Sequence, residues 1–144
     1  MYVRFARDSR SPMSAVPEVV TRFFSAWSER DPDLAVAVVT DDVTIADPYG
    51  THVGSSVLHD HIEMIIRRFD FASAVIRNCF VEGDLAGDAR LAFIVECPMT
   101  GRSSKLAGIS TGFEAAVFAQ LRGGKIAQWI EYWDPAPLAR ALGG

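Results

Sequence analysis

The sequence predicts an α+β fold: a single domain in which a cone-shaped, curved, antiparallel (mixed) β-sheet packs against three N-terminal helices. Three observations carry this expectation. Apolar residues recur at helical spacing through much of the first half of the chain, up to Asp70. Beyond Asp70 the texture changes to β-rich segments separated by glycine-containing turns. Helices followed by a run of strands argue for helices gathered on one face of a sheet. A strongly bent sheet covered in that way leaves a cone, and the open end of a cone is a pocket mouth.

The first helix is expected from Ser14 to about Glu29. Val16, Val19, Val20, Phe23, Phe24 and Trp27 fall at i, i+3, i+4, i+7, i+8 and i+11. Ser14 would be the N-cap, with Pro17 in the first turn. RDPDLAVAVVT reads as a second short helix, capped by Asp31 with Pro32 at its first position. DVTIAD reads as a short strand. GSSVLHDHIEMIIRRF returns to helical spacing, with Val57, Leu58, His61, Ile62, Ile65 and Phe69 on one side. FASAVIRNCFVEGD, ARLAFIVECPMTG, KLAGISTGFEAAVFAQLRGG and KIAQWIEYWD follow as strands, and APLARALGG as a short terminal helix or tail.

The domain is expected over residues 14–142. Residues 1–13 are basic but lack a hydrophobic run, which points to a disordered tail rather than a signal peptide. Met13 is an alternative start to Met1. The chain has 144 residues, 49% of them hydrophobic, enough for one sizeable core. Its net charge of −4 argues against a general nucleic-acid binder. No apolar run reaches the roughly 18 residues of a membrane span. Cys79 and Cys97 sit inside apolar runs without metal-ligand spacing, so they read as buried thiols in a cytoplasmic protein. No phosphate loop, Gly-x-Ser-x-Gly motif or metal-ligand cluster appears, and no cofactor is expected.

The stretch that carries chemistry is TDDVTIADPYG. A strand there ends in Asp47, held in front of Pro48. Asp-Pro with a nearby glycine is also ordinary turn chemistry, and this stretch by itself leaves both readings open. On the last strand Trp129, Glu131 and Trp133 share one face, because strand side chains alternate. A carboxylate between two indoles is costly to bury unless paired or protonated, so that face looks either into a pocket or outward at solvent or a subunit contact. His61 lies on the apolar side of its helix, as a core residue or as a group that titrates near neutrality. His59 is expected on the solvent side and His52 in a loop.

VVTRFFSAWSERDPDLAVAVVTDDVTIADPYG, from Val19 to Gly50, resembles the opening of bacterial ketosteroid isomerases, and GGKIAQWIEYWD is similar to the closing strand of the wider SnoaL-like superfamily. That resemblance implies a cone of curved sheet and three helices. It also implies that Asp47 is a catalytic base moving a proton α to a carbonyl, with Tyr49 and Gly50 at the rim. The resemblance does not extend to the oxyanion donors. The family's tyrosine position holds Phe23, and its protonated acid falls near Ala116 or Val117; neither can donate a hydrogen bond to an enolate. His61 matches a pocket-lining aromatic of the family. Glu131 matches the water-activating acid of the related limonene-epoxide-hydrolase-like proteins. The Arg and Asp those hydrolases also use are here Leu91 and Phe93.

The implied function is a cofactor-independent isomerase or cyclase for an apolar, oxygen-bearing small molecule of polyketide, terpenoid or steroid type. Asp47 would be the base, Glu131 or His61 the acid or orienting group, and Phe23, Trp27, Tyr49, Phe69, Trp129 and Trp133 the apolar wall. An epoxide hydrolase and a non-catalytic binding module are the alternatives. Should Asp47, His61 and Glu131 all approach one enclosed cavity, the enzyme readings stand; should Asp47 point to solvent or be tied up capping a backbone amide, the binding module wins. A homodimer through the convex sheet face, with Ile130 and Tyr132, is expected because large apolar patches are rare on monomers.

Overall fold

The computed structural model describes residues 14–143, so the expected tail over 1–13 lies outside the described residues. Seven strands, β1 Val39–Asp47, β2 Gly50–Val53, β3 Phe69–Phe71, β4 Val75–Gly83, β5 Ala89–Gly101, β6 Ser110–Arg122 and β7 Lys125–Tyr132, form one sheet. The order is β2-β1-β7-β6-β5-β3, with β4 also paired to β5. β1 runs parallel to β7 and every other pairing is antiparallel. Gly112 on β6 marks a place where the strands press close. A Cβ there would come within 2.7 Å of the Cys97 carbonyl oxygen, so only glycine fits. Extra residues in β1, β4 and β7 interrupt the ladders and add bend.

Four helices complete the fold: α1 Glu18–Ser28, α2 Pro32–Val36, α3 Ser55–Arg68 and α4 Ala136–Ala141. α1 begins later than its periodicity suggests. Pro17, extended at φ −62° and ψ 142°, is its N-cap, and Ser14 instead donates its backbone N–H to the Cys79 carbonyl. A residue before proline is pushed out of helical geometry, which explains why Val16 stays outside. α2 is as expected at its start, where the Asp31 carboxylate accepts from Asp33 N–H. It stops at Val36, and the β-branched Val39 and Thr40 open β1. Phe69 leaves the helix to begin β3, and residues 50–53, expected as loop around His52, form a strand.

The core lies between α1–α3 and the concave face of the sheet. Val20, Phe23 and Ala26 on α1, and Leu58, Ile62 and Ile66 on α3, meet Leu91, Phe93, Val95, Val117, Ala119 and Trp129. Burying each large side chain contributes about 1.5–3 kcal/mol. A second, smaller cluster of Phe69, Met99 and Leu138 sits at the end of the sheet where β1 and β7 finish, and α4 supplies its leucine. The convex face exposes Phe80, Phe118 and Tyr132, the last two in edge contact at 6.1 Å. Among the described residues no helix is long and apolar enough to cross a membrane.

Candidate active site

The β1–β7 pairing assembles the site. Ile45 lies opposite Trp129 and Ala46 opposite Ile130. One step further, Asp47 comes beside Glu131, and both point to the concave side with Ile45 and Trp129. On the other flank Glu131 pairs with Val117, which is buried, whereas Ala116 faces out. Of the two positions that could have held a protonated acid, Val117 is therefore the inward one, and it is apolar.

Glu131 is held by the two indoles that flank it in sequence. Trp129 Nε1–H donates to one carboxylate oxygen at 2.9 Å, and Trp133 Nε1–H donates to the other at 3.2 Å. Burial pushes Glu131 up to about 7, and the Asp47 charge pushes the same way, against the two indole hydrogen bonds. Near neutral pH this carboxyl exchanges a proton. The aromatic face is thus the concave, helix-covered face, and the cost of burying the acid is met by protonation and two donors.

Asp47 is partly buried and does two jobs. One oxygen accepts from the Tyr49 and Gly50 backbone N–H groups at 2.8 and 3.2 Å, closing the turn into β2, where Gly50 sits at φ +153°. Its charge nevertheless reaches both Glu131 and His61. His61 on α3 is partly buried. Burial lowers its pKa, the neighbouring His52 lowers it further, and Asp47 opposes both. His52 is the residue that sequence reasoning missed: β2 carries it onto His61, ring centroids 4.1 Å apart and 32° between planes. Period-two alternation over Gly50–Val53 was too short a signal to find it.

The expected apolar wall divides. Phe23 and Trp129 are 1% and 0% exposed, 4.3 Å apart between ring centroids, and wedged with Phe24 and Phe93. They fill the inner cone instead of lining an open wall. Trp27 packs at 4.9 Å on Phe23. Tyr49, exposed, and Trp133, half-buried, meet edge to face at 5.5 Å outside this filling, and Trp133 stacks on Phe113 at 4.6 Å. Phe69 is buried as a member of the second cluster. Leu91 and Phe93, the positions where a hydrolase would need Arg and Asp, are buried in the main core. Cys97 lies close enough for the Glu131 charge to join burial in raising its thiol, so it is no nucleophile at neutral pH.

Two surface depressions of about 400 and 500 Å³ lie elsewhere, one against Arg90, Gln120 and Arg122, the other between Pro17, Arg22 and Lys125. Neither includes Asp47, His61 or Glu131. His59, Asp60 and Glu63 bring possible metal-donor atoms within 4.8 Å of one another on α3. They face other surface groups: His59 Nε2 lies 3.5 Å from the Asp33 carboxylate, and Glu63 pairs with Arg67 at 3.4 Å.

Glu131 makes stability fall with rising pH. Its pKa moves from 4.5 unfolded to about 7 folded, so between those values the folded state binds more protons. Its contribution is complete below pH 4.5 and lost as pH rises through about 7. His61, depressed below 6.5, acts with the opposite sign and is lost as pH falls. Discounting for partial exposure of the side chain, Glu131 contributes about 2–3 kcal/mol. Calorimetry of the wild type should show a midpoint that falls between pH 5 and pH 8 by several degrees, and a Glu131→Gln chain should not show that fall.

The fold has many relatives of known structure. A ketosteroid-isomerase-like protein from Catenulispora acidiphila, solved with trimethylamine, superposes with a TM-score of 0.70 at 18% identity, covering 90% of this chain and 95% of that one. A limonene-epoxide-hydrolase-like epoxide hydrolase from M. tuberculosis gives 0.64 at 18%, covering 86% of each chain. A provisionally assigned polyketide cyclase from Xanthomonas campestris gives 0.63 at 15%, covering 86% and 93%. No curated protein matches. These likenesses are likenesses of fold. The profile of SnoaL-like domains matches residues 20–129, and the chain belongs to the SnoaL-like domain family.

Proposed function

We propose that this protein is a cofactor-independent acid–base isomerase or cyclase acting on an apolar, oxygen-bearing small molecule of polyketide, terpenoid or steroid type. The observation that carries the reading is Glu131, held between two indole N–H groups and raised to about 7 with the Asp47 charge beside it. Two neighbouring carboxyls whose surroundings separate their proton affinities can divide the work of acid and base. Asp47 keeps one oxygen free of the turn and takes the proton α to a carbonyl. Glu131, protonated, donates to the oxygen that gains charge, in place of the tyrosine absent at Phe23. His61, kept neutral, orients the guest. A positioned acid–base pair contributes ~10²–10⁴-fold, and holding a flexible guest in its reactive fold supplies more.

The test is the pH profile of turnover. An acid that must carry its proton gives a wild-type rate that declines above about 7, where Glu131 ionises. Glu131→Gln should lack that alkaline decline and turn over slowly throughout. An unchanged rate and profile in the variant would remove Glu131 from the mechanism.

A second reading, a non-catalytic binding module, draws on the Asp47 oxygen committed to two backbone amides and on the aromatic filling of the inner cone. An epoxide hydrolase is disfavoured by the apolar burial of Leu91 and Phe93. For the convex face, where Phe118 is 54% and Tyr132 60% exposed, a second copy of the chain is the cover. Light scattering should report a dimer at micromolar concentration; a monomer contradicts it.

A further inference from the structure

The inner cone has no room for a guest, because Phe23, Phe24, Phe93 and Trp129 occupy it. A molecule that touches Glu131 must therefore place its apolar body on the mouth side, where the second cluster lies. Phe113 and Trp133 border both clusters, and Trp133 also grips Glu131. Two leucines from outside the sheet fill this mouth-side space: Leu106 from the turn between β5 and β6, and Leu138 from α4.

The α4 cover is lightly fastened. Among the described residues, the hydrogen bonds of residues 134–143 outside the helix ladder stay within that segment: Asp134 accepts from Ala136 N–H, Pro135 from Ala139, Leu138 and Ala139 from Leu142, and Arg140 from Gly143. Among the described residues Arg140 has no ion pair. Leu138 is the buried side chain of the helix. A segment with one buried side chain and, among the described residues, no outside hydrogen bond opens at lower cost than the strands beneath it.

We propose that the apolar subsite of this protein lies under α4, and that Leu138 is its built-in occupant, displaced when a guest enters. The choice of guest rests on the acid–base reading: a compact apolar ring system bearing a carbonyl or ether oxygen. The oxygen lies toward Glu131, and the rings take Leu138's place against Phe69, Met99, Phe113 and Trp133. Opening is felt at the acid, because Trp133 stacks on Phe113 and donates to Glu131. Removing Leu138 changes the surroundings of that indole, and with them one of the two donors on the carboxylate.

The experiment uses the neutral naphthyl ketone dye prodan, whose emission reports an apolar site. A guest that needs a minor open state binds with an affinity reduced by the open fraction. Leu138→Ser, which weakens docking of α4, should therefore bind prodan about tenfold or more tightly than wild type, and Leu138→Phe, which fills the subsite, more weakly. Saturating wild type with dye should speed amide exchange across residues 136–142 and leave β7 as protected as before. Equal affinities in both variants, within about twofold, or slower exchange in α4 on binding, would overturn the proposal. If Leu138→Ser fails to melt cooperatively, Leu138→Phe and the wild-type exchange decide. Loss of turnover in Asp47→Asn with no Leu138 effect would leave the acid–base reading standing and remove the cover. A Leu138 effect with turnover retained in Asp47→Asn would do the reverse.

Discussion

Asp47→Asn should abolish turnover while leaving the thermal midpoint close to wild type. The structure makes this substitution unusually clean. Asp47 closes its turn by accepting hydrogen bonds from the Tyr49 and Gly50 amides, and an asparagine carbonyl oxygen accepts the same two. Asparagine is also at home in such turns. What it lacks is a second basic oxygen and a negative charge. Losing the base from an acid–base pair costs ~10²–10⁴ in rate. One further signature separates loss of charge from misplacement. The Asp47 charge helps to raise Glu131, so Asp47→Asn should move the pH at which stability declines downward from about 7. Asp47→Ala loses the turn as well as the charge, and should melt earlier by the worth of lost hydrogen bonds, about 1 kcal/mol each. Turnover retained in the asparagine variant would end the assignment of Asp47 as base.

The sequence left Asp47 open between turn residue and catalyst; the structure makes it a turn residue whose charge also reaches Glu131. Turn chemistry is written in neighbours, Pro48 and Gly50, and can be read locally. The companionship of Asp47 with Glu131 depends on a parallel pairing between strands about 80 residues apart, and no local pattern encodes that. The same limit governed the last strand. Alternation put Trp129, Glu131 and Trp133 on one face, but only their register against Val117 and Ala119 reveals which face is buried. An extra residue at Ala127 lets Ile126 and Trp129 share that face despite their spacing. The helices were legible because long amphipathic periods repeat their message over several turns. β2 has four residues and α4 six, too few to do so, and with them the packing of His52 on His61 and the burial of Leu138 escaped notice.

Trp129→Ala should be the most destabilising single change on the concave face. The ring is wholly buried and packs on Phe23, Phe24 and Phe93 at centroid distances of 4.3, 5.4 and 5.5 Å. Truncating a buried tryptophan costs about 3–5 kcal/mol, a large part of the 5–15 kcal/mol that holds a typical domain together. The substitution also strips Glu131 of a donor, and Trp129→Phe isolates that second effect by keeping a ring and losing the N–H. The Trp129 hydrogen bond is the strongest influence holding Glu131 down, so the phenylalanine variant should raise this carboxyl above about 7. The decline of stability with pH, measured by chemical denaturation at a series of pH values, should then extend to higher pH than in wild type. Trp133→Phe should shift it in the same direction by less, because its hydrogen bond is longer and ranks last among the influences on Glu131. A Trp129→Phe profile that overlays the wild type would mean that the indole N–H does not govern the acid. If the shift is seen, one side chain ties the packing of the cone to the proton affinity of its carboxyl. Substitutions that loosen the aromatic filling at Phe23 or Phe93 should then alter the pH dependence of stability even though neither residue touches Glu131 through a hydrogen bond.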